Sequence, residues 1–271
     1  MTTAFRFILR SAPRFRVDLQ GLLPAADLSV TALGNRRVLH GHDAIALGDL
    51  FRIDEQPAGA EPAFSFQGDL SRFDRLGAGL AAGRIAVEGD AGDYLGLQMT
   101  GGAIELDGSA GLLAGCEMAG GRLHVAGNVG DYAAGALPGS MDGMRGGDFI
   151  IGGNAGERLA DRMRRGTLVV HGDAGAFCAS RMVAGTLAIG GRVGAHCGWG
   201  QRRGSLVFAG PAPALPDTFV PTDYDFRVIW QLLARSLAKR GGVFASLAAR
   251  SPTRHAGDVA AGGKGEWWIA A

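Results

Sequence analysis

The chain has 271 residues and a formal net charge of +1 at pH 7, so its overall charge favours no particular class of partner. Glycine is abundant at 46 residues, proline is scarce at 10, and 47% of the residues are hydrophobic. This combination excludes collagen and argues against disorder. The length allows one large domain or two small ones.

The three cysteines are odd in number and lack C-x-x-C spacing, which argues against a disulfide framework or a structural zinc site. Arginines at positions 6, 10, 14 and 16 interrupt any apolar core of secretory length near the N-terminus. No apolar run approaches the length of a membrane span. We therefore expect a cytoplasmic protein with no membrane association.

Residues 1–60 predict a small N-terminal β segment with a degenerate first coil. Strand-like patterns lie around residues 5–9 and 15–19, and AIALGDLFRI at 44–53 resembles the glycine repeat that follows.

A 19-residue period built on glycine then dominates the chain. The repeats begin at Gly83, Gly102, Gly121, Gly147, Gly166, Gly185 and Gly204. Only the step from Gly121 to Gly147 differs, being longer by seven residues. Each repeat reads G-x-Φ-x-Φ-x-G, where Φ is apolar, and this alternation is typical of a strand. A period this short predicts stacked repeats, here an all-β, right-handed parallel β-helix over residues 61–211 with about three short strands and three bends in each coil.

Two further glycines in each repeat mark bends. The first is mostly followed by Asp, Ser or Asn, a turn signature that tolerates positive φ, and the second comes three residues later. These structural glycines are Gly89, Gly92, Gly108, Gly111, Gly127, Gly130, Gly153, Gly156, Gly172, Gly175, Gly191 and Gly194.

Residues of the same type also recur at equal positions (offsets) within successive repeats, as expected for stacked coils with an apolar interior. Methionine precedes most repeats by three residues, and Cys178 lies 19 residues before Cys197. The two cysteines could form a redox pair or a metal site, but we favour an interior ladder because Leu95 and Leu159 occupy the same offset.

The residue between the two apolar positions of each repeat strand should point outwards, and in stacked repeats these residues form one column. This column becomes apolar towards the C-terminus. Its members Ile150, Val169, Ala188 and Val207 are the candidate interface residues. A flat apolar sheet face should be covered, so either a helix within 223–240 or another subunit lies on it.

Seven arginines fall in the segments that come just before a repeat glycine, and stacking would bring these segments together into one basic ridge. They are Arg145, Arg162, Arg164, Arg165, Arg181, Arg202 and Arg203. The ridge is either a plain charged edge or a docking surface for an acidic subunit or a polyanionic ligand. No aromatic residues interleave with the arginines, so we do not expect nucleic acid.

Residues 212–271 form the predicted C-terminal unit. PAPALP at 211–216 is a linker, and Asp223 can cap a helix that ends at Gly241-Gly242. One stripe of this helix carries Phe226, Ile229, Trp230, Leu233 and Leu237.

Catalytic signatures are missing from the sequence. There is no G-x-S-x-G, no P-loop and no H-E-x-x-H. The histidines of the repeats lie at different offsets and form no column, while His40 and His42 share one loop, which is a weak metal signal. We expect no catalytic residue and no metal in this chain.

The glycine segments G-[DNS]-[AV]-G resemble the GXXGXXXG repeat shared by the C-terminal domain of glutamate synthase large chains and the C subunit of formylmethanofuran dehydrogenase. Three further features favour the second family. These are GDLF at 48–51, the insertion within 139–156, and R-x-x-G-D at 254–258 with GKGE at 263–266. The similarity covers roughly residues 40–271. Within this family, the sequence is most similar to the C subunits of bacterial formyltransferase/hydrolase complexes.

This resemblance implies a scaffold subunit in a complex of four subunit types. Such a complex moves a formyl group from formyl-tetrahydromethanopterin to a methanofuran-type carrier and hydrolyses the product to formate. The chemistry would reside in a formyltransferase subunit and a zinc amidohydrolase-like subunit, with a further subunit beside them.

Methanofuran-type carriers have glutamate-containing tails, so the resemblance also implies that the arginine ridge faces such a tail or a subunit seam near it. Two alternatives remain. The chain could be the C subunit of a molybdenum or tungsten formylmethanofuran dehydrogenase, or a glutamate-synthase-type domain or stand-alone binding protein.

Overall fold

The computed structural model describes residues 3–57, 59–222 and 225–270. The N-terminal strands are β1 (Ala4–Leu9), β2 (Val17–Asp18), β3 (Arg37–His40), β4 (Asp43–Ala46), β5 (Phe51–Gln56), β6 (Ala63–Gln67) and β7 (Phe73–Asp74). The repeat strands are β8 (Arg84–Glu88), β9 (Thr100–Leu106), β10 (Gly120–Val125), β11 (Arg145–Ile151), β12 (Arg165–Val170), β13 (Thr186–Ile189) and β14 (Arg203–Phe208). The C-terminal strands are β15 (Val220–Pro221), β16 (Thr253–Gly257) and β17 (Lys264–Ile269).

Helices are few, so the protein is mostly β. The α-helices are α1 (Val30–Asn35), α2 (Leu47–Leu50) and α3 (Arg227–Ala238), and short 3-10 helices cover Gly242–Ala249 and Val259–Ala261.

Most strands belong to one large, mainly parallel sheet. Its 13 strands have the order β15-β16-β17-β14-β13-β12-β11-β10-β9-β8-β6-β1-β5. All neighbours from β1 to β17 along this order are parallel, while β5, β16 and β15 pair antiparallel at the two ends. A second sheet has the order β4-β3-β2-β7.

The repeat strands form where the alternation predicted them. In β8 the exposed and buried residues alternate, and Ile85 and Val87 are each only 1% exposed. The register stays constant across the insertion, because Leu123 pairs with Phe149 just as Leu168 pairs with Leu187. The seven extra residues therefore leave the sheet undisturbed and bulge out elsewhere.

The rest of each repeat stacks without forming regular strands. One residue per repeat makes an isolated parallel bridge, as in the series Ala91, Ala110 and Val129. A turn segment follows, whose backbone still bonds to the previous repeat, for example from Gly115 N–H to Leu95 O at 2.8 Å. The expectation of three short strands per coil is therefore wrong. Each repeat has one strand, one bridge residue and a segment of turns.

The turn glycines are needed mainly because the backbone of the preceding repeat lies too close for a side chain, and less because of positive φ. Among the first glycines of the bends only Gly89 has positive φ, at 136°, which corrects the expectation from the turn signature. The left-handed conformation falls instead on the glycines that open the repeats, such as Gly166 with φ of 98°. At Gly127 a Cβ atom would lie 2.7 Å from the carbonyl oxygen of Gly108, closer than real Cβ atoms come.

Polar side chains at these bends link each repeat to the next. The carboxylate of Asp90 accepts the backbone N–H of Ser109 at 2.7 Å, and Asn128 accepts that of Asn154 at 2.8 Å. Asn154 in turn accepts that of Asp173 at 2.8 Å. The Asp, Ser or Asn after the turn glycine is thus explained by a bond between repeats, and the ladder satisfies backbone donors that the strands leave open.

The interior is apolar, as the ladders predicted. The methionines that precede the repeats are fully buried, and so is Cys178, while Cys197 is 6% exposed. Both cysteines are free. Phenylalanines close the N-terminal end, where the rings of Phe7 and Phe66 stack with centroids 4.6 Å apart.

Helix α3 and the 3-10 helix that follows it cover the apolar column of the repeat strands, which is the first of the two alternatives that the sequence left open. Val169, Ala188 and Val207 are 0% exposed and belong to one cluster with Trp230, Ala234, Leu237, Phe244 and Trp268. These three residues therefore pack inside the chain instead of facing another subunit. Ile150, the fourth candidate, is half-buried at the edge of this cover.

The helix differs from its prediction in two respects. It begins at Arg227 after Phe226, whereas the proposed cap Asp223 lies outside the described residues. Ile229 was placed on the inward stripe but is 56% exposed, together with Val228 at 74% and Leu232 at 66%. The helix therefore has an apolar outer face as well as an apolar inner one. No helix within the described ranges is long and apolar enough to cross a membrane.

Candidate binding surface

The structure gathers the seven predicted arginines around two adjoining grooves. The first groove, of about 410 Å³, is lined by Arg145, Arg164, Arg165, Val183, Ala184 and Arg203. The second, of about 510 Å³, is lined by Met141, Arg162, Arg164, Arg181, Val183, Trp199, Gly200, Arg202, Ala260 and Ala261. Because Arg164 and Val183 line both, the two grooves lie side by side.

The 19-residue period explains why grooves form here. Arg164, Val183 and Arg202 occupy one offset in three successive repeats, and Arg165, Ala184 and Arg203 occupy the next. Short side chains in the middle repeat leave a depression between long arginines on either side. The backbone holds this spacing, since Arg164 N–H donates to Met144 O and Arg202 N–H donates to Met182 O, both at 2.8 Å.

The surface carries more positive than negative charge. Buried Asp161 binds Arg181 through both carboxylate oxygens, at 2.8 and 2.9 Å, and also accepts a bond from Ser180. Asp142 forms an ion pair with Arg164. Asp161 also lies 3.7 Å from the Nε atom of Arg162. Within the described part of the chain, no carboxylate lies within 4.0 Å of the remaining four ridge arginines, which are Arg145, Arg165, Arg202 and Arg203. Arg145 also interacts electrostatically with Glu117, so the charges most available for a partner are those of Arg165, Arg202 and Arg203.

A third pocket, which the sequence did not predict, adjoins the second groove. It has a volume of about 390 Å³ and shares Arg162 and Arg181 with that groove. Its other lining residues are Leu112, Leu113, Tyr132, Ala136, Leu137, Pro138, Gly139 and Asp161. We call it the insertion pocket, because residues 136–139 lie in the stretch that lengthens the period. The break in the period was the available signal.

Burial shifts the pKa of two titratable groups outside this surface. Burial raises the pKa of the Cys116 thiol to about 12, so the thiol is protonated and unreactive near neutral pH. Burial, and then the charge of His124, lower the pKa of His171, whose ring lies 5.2 Å from that of Phe244. In residues 3–57, 59–222 and 225–270 there is no group of three His, Cys, Asp or Glu side chains that could hold a metal ion.

The fold and this surface define a protein of stacked glycine-rich repeats that displays a basic, partly apolar groove. Its structure matches a chain of the formyltransferase/hydrolase complex FhcABCD from Methylorubrum extorquens, solved with methylofuran, with a TM-score of 0.88 and 39% sequence identity over 98% of this chain and 99% of that one. The chain therefore belongs to the family formed by the C subunits of formylmethanofuran dehydrogenases, in the branch that includes formyltransferase/hydrolase complexes.

Curated relatives agree over a shorter stretch. The C subunit of the tungsten-containing formylmethanofuran dehydrogenase 2 is 33% identical over 85 residues in Methanothermobacter thermautotrophicus and 32% identical over 85 residues in Methanothermobacter wolfeii. The matched region spans 31% of this chain and 30% of each relative. No family model matches the chain.

Proposed function

We propose that this chain is the non-catalytic structural subunit of a cytoplasmic formyltransferase/hydrolase complex. The complex would transfer formyl from formyl-tetrahydromethanopterin to a methanofuran-type carrier and hydrolyse it to formate. The observation that carries this proposal is the 39% identity to a chain of such a complex, over 98% of this one. The dehydrogenase role receives less support, because those relatives match over only 31% of the chain.

The partners would be a formyltransferase subunit, an amidohydrolase-like subunit that holds zinc, and a further subunit. The apolar outer face of α3 supports assembly, since three large apolar side chains on one helix face are seldom left in water. The carrier, tetrahydromethanopterin and zinc would be held by these partners.

We also propose that residues 61–211 form a right-handed parallel β-helix, between an N-terminal segment (1–60) and a C-terminal one (212–271). Three features support it. Successive strands are parallel in constant register, bridge residues stack beside them, and the turn segments bond from repeat to repeat. Contacts of this kind between successive repeats are those expected of a solenoid.

Co-expression with the genomic neighbours of this chain tests the scaffold role. We expect the chain to purify with the partner subunits in a defined complex, and to self-associate when it is expressed alone because its apolar faces lack partners. The measurement is size-exclusion chromatography with light scattering. A monodisperse monomer in both preparations would contradict the proposal.

The arginine ridge is proposed to face the acidic tail of the carrier or a subunit seam near it. Replacing Arg164 and Arg165 with serine should raise the KM for the carrier, or weaken assembly, by roughly tenfold, since exposed ion pairs contribute up to about 1 kcal/mol each. Steady-state kinetics and subunit retention in salt would measure this.

Arg122→Ser with Arg192→Ser is the matched control, because these arginines are also exposed on the repeats but lie outside the ridge. Unchanged kinetics and an intact complex in the ridge variant would rule out this role.

A further inference from the structure

The insertion that breaks the period builds a pocket with defined walls. Backbone N–H of Leu137 donates to the carboxylate of Glu117 at 3.3 Å, and the guanidinium of Arg162 donates to the carbonyl of Ser140. Glu117 is 7% exposed and also accepts a bond from Gln98 at 2.9 Å. The inserted chain is therefore tied down at both of its ends.

Most lining residues of the pocket are apolar, and Asp161, Arg162 and Arg181 complete it. Two of the apolar residues are open to solvent, since Leu112 is 46% exposed and Tyr132 is 40% exposed. The volume of about 390 Å³ lies at the lower end of the range of ~300–1,000 Å³ typical of ligand pockets. The pocket fits one large apolar group.

An arginine between pocket and groove has a donor without an acceptor. The Nε atom of Arg162 is buried and has no hydrogen-bond partner within the described residues, since Asp161 lies 3.7 Å away. Further along the groove, four arginines have no carboxylate of the described residues within 4.0 Å.

The groove also exposes Trp199 at 56% and Met141 at 65% among its arginines, so an aromatic residue does lie between them, contrary to the expectation from the sequence. Trp, Tyr, Met and Arg are the residues enriched at protein–protein interfaces. A surface that mixes these types over three neighbouring pockets suits a polypeptide, which can supply apolar and acidic side chains in turn.

We infer that the insertion pocket and the arginine groove together bind an extended acidic segment of a partner subunit, anchored by one large apolar side chain in the insertion pocket. This inference rests on the proposed function, because the partner is a subunit of the same complex. The anchor positions the segment, and its carboxylates pair with the free guanidinium groups.

The test is a variant that removes the apolar walls and keeps every charge. Leu112→Ser with Tyr132→Asn is suitable, because both side chains are solvent-exposed and asparagine tolerates the left-handed backbone at position 132, where φ is 61°. In the co-expressed complex we expect about tenfold weaker retention of one partner subunit. Leu39→Ser is the control, since Leu39 is 53% exposed but lies in the four-stranded sheet.

Two labelled probes test the anchor on the full-length chain alone. One is a peptide with leucine, glycine and four glutamates, and the other has alanine in place of leucine. We expect the leucine peptide to bind about tenfold more tightly to the native chain, and the difference to disappear in the double variant. Equal binding of both peptides would mean that the groove takes an acidic tail without an anchor, which overturns the inference.

The two proposals can fail separately. If the native chain co-purifies with its partners and the double variant retains them equally well, the inference is wrong and the scaffold role stands. If the native chain forms no complex, the proposed function fails.

Discussion

Replacing Gly172 with alanine is expected to destabilise the repeats by about 3 kcal/mol, the upper end for an overpacked site. A Cβ atom there would lie 2.6 Å from the carbonyl oxygen of Gly153 and 2.8 Å from its carbonyl carbon, which are backbone atoms of the preceding repeat. It would also collide with the side chain of Asn154, which accepts the N–H of Asp173. Neither neighbour can move without breaking the stack.

Thermal unfolding measures this effect, and roughly a 10 °C fall in Tm is expected for a chain of this size. Gly34→Ala is the matched control, because nothing lies within 4 Å of the added Cβ and Gly34 is inside helix α1. That change should be neutral or slightly stabilising, since alanine favours a helix by about 1 kcal/mol. Equal Tm values for both variants would show that close approach is not what requires glycine at the bends.

Replacing Trp230 with alanine should release helix α3 from the sheet at a cost of about 3–5 kcal/mol. The indole is 3% exposed, stacks on Trp268 at 5.9 Å and donates to the carbonyl of Arg250 at 2.8 Å. Without it, the column of Val169, Ala188 and Val207 loses part of its cover.

Increased binding of a hydrophobic dye and faster hydrogen exchange confined to residues 227–249 would report this release. Leu232→Ala on the same helix is the control, because Leu232 is 66% exposed and its loss should change the stability by less than about 0.5 kcal/mol. If the Trp230 variant exchanges no faster than this control, the helix is not held through its tryptophan.

The repeats could be predicted in detail because their contacts recur at one sequence separation. Outside the insertion, each repeat strand from β8 to β14 pairs with the strand 19 residues away, so the pattern of apolar residues, turn glycines and Asp or Asn side chains repeats with the packing itself. The stacking of the seven arginines followed from the same period. The turn segment of each repeat was wrongly predicted to contain a further strand. Its left-handed residues include Tyr94, Arg158 and Phe177, and these residue types give no turn signal in the sequence.

The contacts of the C-terminal unit do not recur at a fixed sequence separation, so no sequence pattern predicts them. The ion pair of Arg240 with Asp148 joins residues 92 positions apart, and the sequence left open whether a helix or another subunit covered the apolar column. The insertion pocket was likewise invisible, because a break in a period shows where extra residues lie but not which surface they fold against.

The sequence alone thus determined the stacked all-β architecture, the apolar interior and the common face of the arginines, since each depends only on neighbouring repeats. Only the tertiary structure decided that α3 covers Val169, Ala188 and Val207, and that Leu112, Tyr132 and the inserted residues form a pocket beside Arg162. Those arrangements depend on single contacts between distant segments. Periodic patterns average over repeats and carry no information about such contacts.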